Sequence, residues 1–119
     1  MLREDVKILS TAEVAEALDR ADRLVEVPEW GGAVKLRAMT LEQRDVVIAQ
    51  AKDGAGAVDG QKLVRLLVIN GIVEPMLTEE ILKGKAFAVI DRLAGEVMQL
   101  NGMVKEASVV ADRTFRANA

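Results

Sequence analysis

The chain has no cysteine, no histidine and no tyrosine in 119 residues. Without cysteine there is no disulfide, thiolate nucleophile or dithiol redox couple. Without histidine there is no imidazole base, and the usual zinc sites lose their nitrogen ligand. Aromatics are only 3% of residues (one Trp and two Phe), although half of the chain is hydrophobic. The core must therefore be built of Leu, Val, Ile, Ala and Met, which suits helices packed side by side. No run of 18 apolar residues occurs, so no membrane span is expected, and the longest apolar stretch near 63–73 is interrupted by Arg65 and Asn70. The start, MLREDVKILS, carries acids and too short an apolar run for a signal peptide. Sixteen bases against nineteen acids leave a net charge of −3, with Lys and Arg scattered singly. Phosphate contacts supply most nucleic-acid affinity, so an acidic chain without a basic block is a poor nucleic-acid binder.

What is present reads as one domain of α+β class, mainly α: a small helical domain with a β-hairpin in its N-terminal half. The domain is assigned to 1–102, and 103–119 to a C-terminal tail left open between a helix and a mobile segment, because its periodicity is weak. Ser10 and Glu13 form a capping box, with Leu9 and Val14 as a hydrophobic staple. Val14, Ala17, Leu18 and Ala21 recur at helical spacing, which predicts an amphipathic helix over 11–21. Residues 24–27 and 34–38 are short and rich in β-branched residues, and Val34, Leu36 and Ala38 alternate with Lys35 and Arg37. Pro28 and Gly31–Gly32 supply the turn between them. A lone hairpin is marginal in water, so it must pack on a helix or join a larger sheet. Thr40 and Gln43 open a second helix over about 41–52, with Leu41, Ile48 and Ala51 facing one way and Val47 beside them.

Residues 54–60, GAGAVDG, read as a flexible linker without core-forming side chains. Around 61–70, apolar residues surround nearly the whole helix, making it the element expected to be most buried. Asn70–Gly71 is read as a left-handed cap rather than a hairpin, since the strand that would follow is only IVE. Thr78 caps a short helix over 79–83, ended by Gly84. The longest helix is expected over 85–101, with Ala86, Ile90, Leu93, Val97 and Leu100 spaced 4, 3, 4, 3 as a helix–helix seam, and Asn101–Gly102 as its stop.

Candidate chemistry is thin. In the glycine-rich run the third glycine comes one residue late for a dinucleotide fingerprint, a helix rather than a strand precedes it, and Gly60 is followed by Gln61 where a phosphate loop needs Lys. The pairs Glu13–Glu16 and Glu79–Glu80 fall in first helical turns or on polar faces, where acids favour the helix dipole. Ser10 and Ser108 lack an activating base. No catalytic, cofactor-binding or metal-binding residue is assigned, no cofactor is expected, and the chain is expected not to be an enzyme. Met98 and Met103 are core fillers or parts of an adaptable surface. Trp30, alone at a turn, either folds back onto the domain or serves a partner contact.

One family matches this ordering of residues. Val27, Pro28, Trp30, Gly31, Gly32, Val34, Leu36, Arg37, Thr40, Gln43, Arg44 and Asp45, followed by Ile81, Leu82, Ile90, Leu93, Leu100 and Gly102, resemble the tail assembly chaperones of long-tailed bacteriophages and prophages. The resemblance covers about 24–102. The segment after Gly71 departs from it, since relatives often carry an acidic turn and an aromatic where this chain has IVEPMLTEEI. The resemblance implies a hairpin running into a helix. It also implies a non-enzymatic role in the bacterial cytoplasm: binding the tape-measure protein and keeping it soluble while the tail tube polymerises, with absence from the finished virion. Implied partners are the tape-measure protein, the tail-tube protein as a further candidate, and copies of the chain itself as a homo-oligomer; no nucleic acid and no membrane are expected. A structural subunit of the phage tail or head–tail connector is the alternative. Candidate partner or self-association residues are Trp30, Leu36, Ile90, Leu93, Val97, Met98 and Leu100.

Overall fold

The computed structural model describes residues 6–103; the segments 1–5 and 104–119, the latter holding Ser108 and all but the first residue of the expected tail, lie outside the described residues. In chain order the elements are α1 (Thr11–Glu16), β1 (Asp22–Val27), a 3₁₀ turn (Pro28–Trp30), β2 (Gly32–Arg37), α2 (Leu41–Gln50), α3 (Gly60–Gly71), β3 (Ile72–Glu74), α4 (Glu79–Lys83) and α5 (Phe87–Leu100). The class is α+β, mainly α, as expected from the sequence.

The hairpin is built by alternation. Val27, Val34 and Leu36 point inward and are buried, while Lys35 and Arg37 face outward at partial exposure. β1 and β2 pair antiparallel with Val25 opposite Val34 and Val27 opposite Gly32. The hairpin does not stand alone. The short run after Gly71 joins it as a third antiparallel strand, with Ile72 opposite Leu36 and Glu74 opposite Lys35 across a register irregularity. The sheet order is β1-β2-β3, so β2 is central and β1 is an edge. IVE is thus both the continuation of a helix and a strand. Three residues suffice because β2 already presents an ordered edge.

Gly71 is not a left-handed cap. Positive φ occurs at Gly31, Gly56 and Gly102, not at Gly71, which lies inside α3. Its reason is packing: a Cβ there would sit 2.5 Å from Val97 Cγ1 and 2.6 Å from Val97 Cγ2, so only glycine lets α3 approach α5 this closely. α5 lies between α3 and the sheet and buries Val89, Ile90, Leu93, Ala94 and Val97, against Leu67, Val68 and Gly71 for α3. The most buried helix is therefore α5, not α3. Leu63, Val64, Leu66 and Ile69 of α3 are only half-buried, because α2 and α4 cover part of its circumference.

The caps follow the expected chemistry. Both reciprocal hydrogen bonds of the Ser10–Glu13 and Thr40–Gln43 capping boxes are formed. Thr78 Oγ1 accepts from Ile81 N at 3.3 Å. At the end of α5, Gly102 takes φ +69°. Gly102 N donates to Gln99 O and Met103 N to Met98 O, which closes the helix in a Schellman turn. Met103, assigned to the tail, is buried and belongs to the core.

Two segments differ from expectation. Residues 54–60 are a built turn rather than a flexible linker. Asp53 Oδ1 accepts from Ala55 N at 2.8 Å and Ala57 N at 3.0 Å, and Asp53 N donates to Ala57 O at 2.7 Å. Asp59 then caps α3 by accepting from Gln61 N and Lys62 N. The other is α1, which stops at Glu16 with Ala17 extended, instead of reaching 21. None of its residues is buried. A single helical turn or two without a packed face is marginal in water, so the amphipathic pattern alone does not carry the helix further.

Candidate interaction surface

The hairpin tip is positioned from both ends. Pro28 opens the 3₁₀ turn, and Gly31, at φ +76°, closes it with a hydrogen bond from its N–H to Pro28 O at 3.0 Å. That angle favours glycine, since a Cβ would strain the left-handed region. Gly32 has no such requirement; it is the first residue of β2. Trp30 is half-buried and packs against the core. Next to it, Glu29 and Arg92 form a two-pronged ion pair at 2.7 and 2.8 Å, linking the tip to α5. The Arg92 guanidinium, by these hydrogen bonds, lowers the Glu29 carboxyl to about 2. Trp30 and this pair together pin the hairpin tip down on the domain.

Most of the residues expected to meet a partner are turned inward. Leu36, Leu93 and Val97 have no exposed surface and Ile90 has 6%. Leu36, Leu93 and Val97 lie in the core between the sheet, α3 and α5 and offer nothing to a neighbour, whereas Ile90 reaches the surface only at the floor of a groove. The 4-3-4-3 seam is therefore an internal contact of this domain. Met98 and Leu100 are half-buried against the same core, and Ala86 is an exposed N-cap.

The exposed apolar surface lies elsewhere. Leu24, on the outer face of the edge strand, is 73% exposed, flanked on that face by Asp22 and Glu26. Asp22 is held by Arg37 at 2.8 Å and Lys35 at 3.5 Å, and the Arg37 hydrogen bond lowers its pKa. Leu41, at the first position of α2, is 75% exposed, and Leu18 is fully exposed beside it. A shallow groove of about 630 Å³ runs between Leu18, Met39 and Leu41. A larger groove, of about 830 Å³, lies where the starts of α3 and α5 meet α4; Val64, Leu82, Phe87 and Ile90 line it and Arg65, Lys83 and Lys85 rim it. Phe87 is 74% exposed. The sequence reading passed over Phe87: helical phase puts it with the buried Ile90 and Ala94, three and seven positions on, and only the structure leaves this first residue of α5 uncovered.

Among the described residues no polar or charged side chain is buried, no group of three or more Asp or Glu could hold a metal ion, and no helix is long and apolar enough to cross a membrane. The carboxyls whose pKa values shift, Glu13, Asp22 and Glu29, are all lowered by hydrogen-bonded cations, Lys7, Arg37 and Arg92 respectively. A carboxyl raised toward neutrality, as a general acid requires, is not among them. The arrangement defines a small α+β domain whose distinctive surfaces are apolar and unpartnered. Comparison with protein-family models, with curated proteins and with solved structures finds no match.

Proposed function

We propose that this chain is a tail assembly chaperone of a long-tailed phage or prophage, a non-enzymatic binding protein that holds the tape-measure protein soluble while the tail tube polymerises. One observation carries the reading. The residues of the resemblance from Val27 to Asp45 form a continuous unit in which the hairpin, pinned at Trp30, runs through a capping box directly into α2. That is the layout the resemblance implies. The surface offered to a client is then the outer face and free edge of β1 around Leu24, together with Leu41. An edge strand with its polar backbone row uncovered and an apolar residue at its centre is suited to receiving an extended or helical segment. The protein acts in the host cytoplasm, forms homo-oligomers and is absent from the mature virion.

The test is co-expression with a tape-measure protein of a long-tailed phage or prophage. The soluble fraction of the tape-measure protein rises several-fold with the parent chain and falls back with Leu24→Lys, while the variant keeps the parent's circular dichroism. A tape-measure protein equally insoluble with and without the chain removes the proposal. Detection of the chain in purified particles at a fixed copy number supports the structural-subunit alternative instead.

A further inference from the structure

We infer that the chain self-associates head to tail, the N-terminal arm of one copy (residues 8–19, containing α1) docking in the groove between α3, α4 and α5 of the next. This inference rests on the arm and the groove alone and does not depend on the chaperone reading.

The arm is the first half of the observation. Ile8, Leu9, Val14 and Leu18 are between 58% and 101% exposed, and no residue of α1 is buried. Four large apolar side chains on twelve residues are too many to leave in water by accident, because fully burying each is worth about 1.5–3 kcal/mol. The same twelve residues carry Glu13, Glu16 and Asp19 and no Lys or Arg. Glu13 is engaged by Lys7. Glu16 and Asp19 have no ion-pair or hydrogen-bond partner among the described residues. The arm is thus an apolar stripe with acids beside it.

The groove is the complement. Its floor is Val64, Leu82 and Ile90, and Phe87 stands in its wall. Three bases, Arg65, Lys83 and Lys85, face one acid, Asp59. Arg65 and Lys83 reach Glu79 and Glu80 at 3.8 and 3.2 Å, whereas Lys85 has no partner among the described residues. α5 also begins here, and its N-terminus has neither a side-chain cap nor an acid in its first turn, so its dipole adds to the positive rim. Apolar floor meets apolar stripe, and Lys85 with the α5 N-terminus meets acids.

The occupant comes from a second copy because the arm cannot reach its own groove. Arg20 is anchored by hydrogen bonds to Ala38 O at 2.9 Å and Gln43 Oε1 at 3.0 Å. One residue on, Met39 N bonds Asn101 Oδ1 at 2.7 Å, which places this anchor at the C-terminal end of α5. Phe87 is at the other end of that helix, about 20 Å away at 1.5 Å per residue. Leu18, two residues before the anchor, extends only about 7 Å from it, so the apolar stripe cannot be laid in the groove of its own copy. Arm and groove are different patches of one surface, so the contact is heterologous. Each copy keeps one free half, and assembly proceeds to a ring or an open chain.

The two halves can be disabled separately at exposed positions, which leaves the fold intact. The full chain is studied by sedimentation velocity across micromolar to submillimolar concentration, with circular dichroism as the folding control. The parent shows concentration-dependent species larger than a dimer. Leu18→Asp loses the arm and Phe87→Asp loses the groove; each weakens association at least tenfold, the equivalent of 1.4 kcal/mol. Mixed in equal amounts, the two variants form a one-to-one heterodimer that grows no further, since the only intact arm and the only intact groove are used in it. A parent that stays monomeric overturns the inference, as does a variant that assembles like the parent. Two monomeric variants that fail to pair when mixed also overturn it, because then the arm and the groove do not meet each other.

Discussion

α5 and the N-terminal arm begin from the same kind of sequence, apolar residues at helical spacing with charges between them, and end in opposite states. α5 runs fourteen residues and buries five of them, while α1 runs six and buries none. The difference is not in the caps. α1 has a complete capping box, and α5 has Ala86 at its N-cap with no side-chain bond at all. Capping contributes about 1 kcal/mol; the face of α5 is enclosed by α3 and the sheet, and each side chain enclosed there contributes more than a cap does. Helical pattern proposes an element, and a surface to pack on decides its length.

The largest effect expected from this contrast is between two leucines. Leu93→Ala, at a site with no exposed surface, removes buried methyl groups and leaves a cavity, and should lower the unfolding free energy by about 2–5 kcal/mol. Leu18→Ala, fully exposed in the arm, should change it by less than about 0.5 kcal/mol. Urea unfolding at a protein concentration where the chain is dilute measures both. Equal effects would mean that the arm is packed within the single copy.

Trp30→Ala comes next. The ring is half-buried against the core, so truncation should destabilise by about 2 kcal/mol, below the 3–5 kcal/mol of a fully enclosed Trp. A variant that melts like the parent would place Trp30 with the arm, as surface kept for a neighbour.

Gly71→Ala is smaller and depends on its partner. A helical Gly replaced by Ala ordinarily gains about 1 kcal/mol. Here the new methyl would meet both Val97 methyls at 2.5 and 2.6 Å, and overpacking of this kind costs about 1–3 kcal/mol. The net is a loss of about 1 kcal/mol. Pairing it with Val97→Ala should restore part of that loss, so the double variant should be more stable than the sum of the single ones indicates. Strict additivity would show that α3 and α5 do not press on each other at this point.

The smallest effect is electrostatic. Glu29 has its carboxyl lowered from 4.5 to about 2 by Arg92. A depressed folded-state pKa stabilises above the unfolded value and loses that contribution as pH falls toward the folded one. Stability of the parent should therefore decline between about pH 4.5 and pH 2 more than that of Glu29→Gln, which lacks the titrating group. Parallel curves for the two in denaturant titrations across that window would remove the tip-to-α5 ion pair from the account of what holds the hairpin down.

Much of the layout was legible because its signals are local. Ser10, Thr40 and Thr78 begin helices through bonds to residues three positions on. Alternation at 34–37 fixes which side chains of β2 face inward, and Asn101–Gly102 ends α5 where a left-handed residue is needed. Absences were equally local in effect: with no His or Cys, whole classes of chemistry are closed before any fold is considered. Two of the misreadings, IVE and Gly71, involve a neighbour far along the chain. IVE is a strand because β2 runs beside it, and Gly71 leaves space for Val97, 26 positions later, rather than making a turn. Asp53 organises a run that composition alone reads as linker. The seam from Ile90 to Leu100 was visible as apolar spacing, but spacing cannot say whether α3 or another molecule fills it. By itself the sequence determined where the helices and the hairpin begin, through caps, turn residues and period. Only the tertiary structure decided which apolar faces are enclosed, because enclosure is set by what lies across the gap; Leu93 is covered and Leu18 is not, and the residues next to each give no sign of it.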